Sequence, residues 1–177
     1  MAEILAFAGS NSSTSINYRL VKYTTSLLQG HHVQLLNMVH YPFPMYSEDD
    51  ERQKGFPNSL VELKNDIERV DGLMLSVNEH NSNPSAYFKN MMDWLSRLER
   101  KFLEGRKVFL MSTSGGKRGG LGALEVTQNM LPRFGAEITS TFSLPSFYDN
   151  FQDDMIQNKE LKEQHRSALD SFLESFK

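Results

Sequence analysis

Five short apolar runs, separated by segments whose apolar residues recur every three or four positions, constrain this chain more than any other feature. The runs are Ile4 to Ala8, Val33 to Met38, Leu73 to Val77, Val108 to Met111 and Ile138 to Phe142. Each has the length of a strand, and Ile4, Leu5, Phe7 and Ala8 suit a strand covered on both faces. Between them lie amphipathic helices: Ile16, Leu20, Tyr23, Leu27 and Leu28 up to Gly30; Leu60, Leu63, Ile67 and Val70; Tyr87 to Leu98; Leu124 to Phe134; and a terminal helix over 158–177. Strand and helix alternate with no repeat and no linker. That order predicts an α/β fold over residues 1–177 as one domain, a parallel sheet between two helical layers.

Composition narrows the function classes. The chain has 177 residues, 39% apolar and 23% charged, with a net charge of −3 and no cysteine. Thiolate metal sites, disulfides and a cysteine nucleophile are therefore excluded. No basic patch or basic helix suits a nucleic acid, and no apolar segment suits a membrane or a signal peptide, so we expect a cytoplasmic protein acting on small molecules. The stretch from Val39 to Pro57, with its prolines and the acidic run Glu48 to Glu51, reads as a long surface loop whose acidic face is solvated. His31 and His32 precede the second strand, away from the other polar loops, and no metal site is expected. Serine, histidine and aspartate occur but form no nucleophile-elbow motif.

In an open parallel sheet, ligands bind beyond the carboxyl ends of the strands. Three unusual loops leave from that edge. Ser10 to Asn17 is rich in hydroxyls, Asn78 to Ser85 in amides, and Ser112 to Gly120 in glycine. The first leads into a helix, and the free N–H groups of a helical first turn favour an anion. Serine and asparagine are also the preferred N-caps, so this loop alone supports either a capped helix start or an anion cradle. Lys117 and Arg118 sit in the glycine-rich loop, either facing an anionic partner or solvated.

At these residues the chain resembles a known family. GSNSSTSIN at 9–17 is similar to the G-S-x-R-x-x-S-x-N opening of the NADPH-dependent FMN reductases, flavodoxin-like proteins that include azoreductases, quinone reductases and chromate reductases. NEHNSNPSAYFKNMMDWLS at 78–96 resembles the family's P-E-Y-N-x-x-x-P-G-x-L-K-N-x-x-D-W-L-S pattern, agreeing at Glu79, Asn81, Pro84, Lys89, Asn90, Asp93, Trp94, Leu95 and Ser96. FPMYSEDDE at 43–51 and STSGGKRGG at 112–120 match two further family segments in the same order.

The resemblance implies a flavodoxin-like sheet of order 2-1-3-4-5 and an FMN site at its carboxyl edge. Ser10, Ser15 and Asn17, with Ser12 and Ile16 alongside, would hold the phosphate. Asn78, Glu79, His80, Asn81 and Ser82 would flank the ring, with Ser114 and Gly115 nearby. NADPH or NADH would deliver hydride to the exposed ring face and a small acceptor would follow, with no catalytic side chain required. The acceptor could be a quinone, an azo compound, a metal oxyanion or free flavin. A homodimer or homotetramer is also implied. The alternatives are a non-catalytic flavin carrier or sensor, and a flavin-free protein that keeps the fold.

Three positions depart from the pattern. Ser12 replaces the arginine of the first loop, which removes one charge-assisted phosphate contact. His80 replaces the tyrosine beside the ring, and Ser85 stands where the family has glycine. Met91 and Met92, beside Tyr87, Phe88 and Trp94, are expected in the core and at a subunit interface rather than against a cofactor.

Overall fold

The computed structural model describes all residues from Met1 to Lys177. In chain order the elements are β1 (Glu3–Ala8), α1 (Ile16–Ser26), β2 (His32–Leu36), α2 (Glu48–Lys54), α3 (Asn58–Glu68), β3 (Gly72–Val77), the short pair β4 (Glu79–His80) and β5 (Asn83–Pro84), and α4 (Ala86–Leu98). Then follow β6 (Lys107–Thr113), α5 (Leu121–Met130), β7 (Glu137–Leu144), the one-turn α6 (Phe147–Asn150), the short pair β8 (Phe151–Gln152) and β9 (Met155–Ile156), and α7 (Lys159–Glu174). The main sheet runs β2-β1-β3-β6-β7, and each neighbouring pair is parallel. Leaving out the four short strands, this is the expected order 2-1-3-4-5.

Apolar side chains fill both faces of the sheet. One layer joins Leu5, Phe7, Leu73, Leu75, Val108 and Leu110 to α3, α4 and α5. The other joins Ile4, Ala6, Met74, Phe109 and Met111 to α1 and α7. Burial on alternate sides explains why β1, β3 and β6 read as unbroken apolar runs. Gly9 follows β1 at a point of close approach, where a Cβ would lie 2.5 Å from the Phe88 ring of α4.

Several boundaries differ from expectation. The segment after β2 is not a free loop: Ser47 caps α2, and the acidic run Glu48 to Glu51 forms its first turn, where negative charge meets the helix dipole. This segment is strapped to α4. Asn90 accepts from Tyr46 N–H at 2.8 Å and donates to the Pro44 carbonyl at 2.9 Å, and Trp94 Nε1–H donates to the same carbonyl at 2.8 Å. Glu51 takes paired hydrogen bonds from Arg97 and one from Tyr46, which hold its carboxyl below the usual range. Met91 and Met92 lie within the chain's own core, and the outward face of α4 carries the Lys89–Asp93 ion pair. Pro84 sits in β5, and the cap of α4 is Ser85. Ser85 Oγ donates to the Gly9 carbonyl at 3.1 Å, so the serine at this position joins the first loop to α4.

Candidate functional site

The loops after β1, β3 and β6 converge at the carboxyl edge of the sheet, and buried polar side chains at the strand tips fix their positions. Asn17 is the central one, 2% exposed in the first turn of α1. Its Oδ1 accepts from Ser76 Oγ at 2.7 Å and from Thr113 N–H at 3.1 Å, and its Nδ2 donates to the Thr113 carbonyl at 3.1 Å. One amide thus ties α1 to the ends of β3 and β6. Gly9 N–H adds a bond to the Ser76 carbonyl, and Thr113 Oγ1 donates to the Leu144 carbonyl.

The first loop is shaped around a cluster of unpaired donors. Ser15 caps α1 by accepting from Tyr18 N–H at 3.1 Å; Ser10 Oγ accepts from Ser12 N–H, and Ser12 Oγ from Thr14 N–H. The backbone N–H groups of Ser10, Asn11, Ser13, Ile16 and Asn17 donate to no group within the chain. The loop is a capped helix start whose remaining donors stay open and form a cradle of N–H groups. The open N–H groups at the positive end of an eleven-residue helix fit a phosphate. Asn17 contributes its backbone N–H to that cradle, because its side chain is engaged with Ser76 and Thr113.

The second loop is a hairpin, β4 paired with β5 across the two-residue turn Asn81–Ser82. Both turn residues have positive φ, 52° and 62°, as this tight hairpin turn requires. His80 is exposed, with Nε2 3.4 Å from Asn78 Nδ2. The opposite end of that amide, Asn78 Oδ1, is buried without a partner. Glu79 turns away from the loops, and its Oε2 accepts from Ala123 N–H in α5 at 3.0 Å.

The third loop is anchored to a segment that the apolar pattern left unread. Phe147 N–H donates to the Ser114 carbonyl at 3.0 Å and Ser146 N–H to the Gly116 carbonyl at 2.9 Å. The exposed Tyr148 ring lies over Gly115, where a Cβ would approach it to 3.1 Å. Gly115 N–H is left without a partner in the chain. Lys117 and Arg118 make no ion pair and rim a cleft of about 410 Å³ with Leu121, Leu124 and Pro145. Sequence alone missed Tyr148 and Ser76; the first follows FSLPSF at 142–147, which carries no clear strand or helix period, and the second acts through a contact distant in the chain.

The structure thus brings Ser10, Ser12, Ser15, Ile16 and Asn17 together as one cradle, with Ser114 and Gly115 beyond the strand tips Asn17 ties. Asn78, His80, Asn81 and Ser82 form the opposite hairpin, and Glu79 serves its outer side.

Residues 2–149 match the family described as NADPH-dependent FMN reductase. This chain belongs to that family. A quinone reductase of Escherichia coli is 35% identical over 77 residues, which cover 44% of this chain and 41% of that protein. The chain therefore matches less than half the length of that relative. An NAD(P)H-dependent FMN reductase of Pseudomonas aeruginosa is 26% identical over 118 residues, 66% of this chain and 62% of that protein. FerB, a flavoenzyme NAD(P)H:(acceptor) oxidoreductase from Paracoccus denitrificans, superposes with a TM-score of 0.78 at 23% identity, over 98% of this chain and 96% of its own, which establishes the shared fold. The family's description names FMN and NADPH, and the unpaired donors of the first loop fit the phosphate of the former. No helix is long and apolar enough to cross a membrane.

Proposed function

We propose that the chain is an FMN-dependent NAD(P)H oxidoreductase that passes electrons to a small acceptor. The carrying observation is the set of unpaired N–H groups at 10–17, held open by the Asn17 bridge. Ser10, Ser12, Ser15, Ile16 and Asn17 would bind the phosphate. The hairpin residues Asn78, His80, Asn81 and Ser82 would form one wall for the ring, with Glu79 holding that wall from behind, and Ser114 and Gly115 the other. FMN, when bound, supplies the hydride chemistry between NAD(P)H and the acceptor.

The side chains and backbone supply position and field. Gly115 N–H offers a hydrogen bond to an electron-rich ring edge, the logic of an oxyanion hole. Asn78 Oδ1, buried and unpartnered, offers an acceptor to a ring N–H once the hairpin meets a ligand. Lys117 and Arg118, which follow Gly115 in the same loop, offer unpaired positive charge suited to the phosphates of NAD(P)H or to an anionic acceptor. Quinones, azo compounds, metal oxyanions and free flavin all fit an acceptor that needs only the exposed ring face. We extend the proposal to a cytoplasmic homodimer or homotetramer, for which exposed Leu121 and Val126 on α5 provide apolar surface.

The test is to load the purified chain with FMN and add NADPH or NADH without oxygen. Bleaching of the yellow band, followed by recovery on adding a quinone, is expected. A loaded chain that stays yellow with both nucleotides contradicts the reductase reading.

A further inference from the structure

Hairpin 79–84 is the least self-supporting part of the site. Its strands have two residues each, and its turn holds Ser82, which is neither glycine nor asparagine, at positive φ, a conformation that costs free energy which the surroundings must offset. The surroundings are the N-terminus of α5. That helix has no side-chain cap of its own, since Gly120 occupies the cap position. Glu79 reaches across from the hairpin instead, placing Oε2 3.0 Å from Ala123 N–H at the positive end of the helix. Beside it the hairpin backbone rests on Gly122, where a Cβ would fall 2.7 Å from the Ser82 carbonyl oxygen and 2.8 Å from Glu79 Oε2.

We infer that Glu79 and Gly122 are positioning residues that set the height of the hairpin wall, and through it the affinity for the flavin ring, without touching the cofactor. The carboxylate draws the hairpin onto α5, and the missing side chain of Gly122 allows the close seat. Any residue larger than glycine at 122 lifts Ser82 and its neighbours away from the helix. A shorter side chain at 79 leaves the Ala123 N–H uncapped and releases the strained turn. Glutamine at 79 keeps an oxygen for the same N–H, so it should keep the seat.

This inference rests on the FMN reading, and its test separates the two. The flavin-free chain and its Glu79→Gln, Glu79→Ala and Gly122→Ala variants are titrated with FMN by fluorescence, with thermal unfolding recorded for each. Inorganic phosphate is used as a competitor to report on the first loop alone. The expected result is that Glu79→Ala and Gly122→Ala each weaken FMN binding about tenfold, and that the double variant is no weaker than either, because both act on one seat. Glu79→Gln stays within about threefold of the parent, and the inhibition constant of phosphate is unchanged throughout. Should Gly122→Ala fail to fold, the Glu79 pair decides alone, since Glu79→Ala removes atoms and forces none. Parent-like FMN affinity in Gly122→Ala or Glu79→Ala overturns the inference while leaving the FMN reading intact. A shifted phosphate constant, or loss of affinity with Glu79→Gln equal to that with alanine, also overturns it. A parent chain that binds no FMN overturns the underlying reading and this inference with it.

Discussion

The cradle at 10–17 and the hairpin at 79–84 face one another across the site and are held by opposite means. The cradle is fastened from beneath. Asn17 is buried, and its three side-chain hydrogen bonds reach Ser76 and Thr113 at strand ends in the middle of the sheet. The hairpin is fastened from outside, by one carboxylate on a helix N-terminus and one glycine. A loop braced into the sheet keeps its geometry as long as the sheet is folded, so the proposed phosphate end is preformed. A wall resting on one helix end can shift without unfolding anything, so the proposed ring end is where adjustment of affinity is expected.

The largest expected effect comes from breaking the first fastening. Asn17→Ala leaves Ser76 Oγ and both backbone groups of Thr113 buried without partners, at about 1–3 kcal/mol for each unsatisfied group. A stability loss of about 3 kcal/mol or more in urea unfolding is expected, together with loss of FMN binding. An Asn17→Ala chain of parental stability would remove the contrast between the two regions.

The second effect concerns the far end of α1 and shows whether the cradle depends on it. His165 of α7 is fully buried; Thr24 Oγ1 donates to the Leu20 carbonyl, so the ring Nε2–H donates to Thr24 and Nδ1 is left unpartnered. Burial first, and then the Arg166 charge, push its pKa down to about 4. The neutral ring is favoured in the folded state, so its contribution is complete above the ordinary value of 6.5 and is lost as pH falls from there towards 4. A tenfold change in proton affinity between the folded and unfolded chains corresponds to about 1.4 kcal/mol, so up to about 3 kcal/mol is at stake. Unfolding free energy measured between about pH 7 and pH 4 should fall accordingly, and a His165→Gln variant should show a flatter profile in that window. Because Asn17 braces the cradle independently, the FMN dissociation constant of the still-folded chain should not follow this curve.

The third effect is smaller and adds to the cradle what its sequence lacks. Ser12→Arg supplies a fixed charge beside the unpaired N–H groups and should tighten FMN binding about tenfold, since hydrogen bonds to charged groups contribute about 1.5–3 kcal/mol. Unchanged affinity by calorimetry would place Ser12 away from the phosphate. The smallest effect is that of the helix cap: Ser15→Ala should cost about 1 kcal/mol in thermal or urea unfolding.

Much of this architecture was legible in the sequence because local patterns carry it. The apolar runs of β1, β3 and β6 and the spacing of α1, α3 and α4 need no knowledge of the rest of the chain. Helix α2 was hidden because its acidic first turn and lack of buried residues give no apolar period. The hairpin was hidden because NEHNSNP contains no alternation, and its strands exist only through the turn and α5. Roles were harder to read than positions. Asn17 and Glu79 both belong to recognisable motifs, yet the bonds that define them span 96 and 44 residues. Tyr148 came from a segment with no pattern at all, and only its contact with Gly115 joins it to the third loop.

The preformed cradle is the central claim, and the most direct measurement compares FMN with riboflavin, which carries the same ring without the phosphate, on the flavin-free chain. Two or more charge-assisted hydrogen bonds to the phosphate predict that FMN binds at least about 100-fold more tightly. Equal affinity for the two flavins, or no binding of FMN, would contradict the assignment of the loop at 10–17 as the phosphate site.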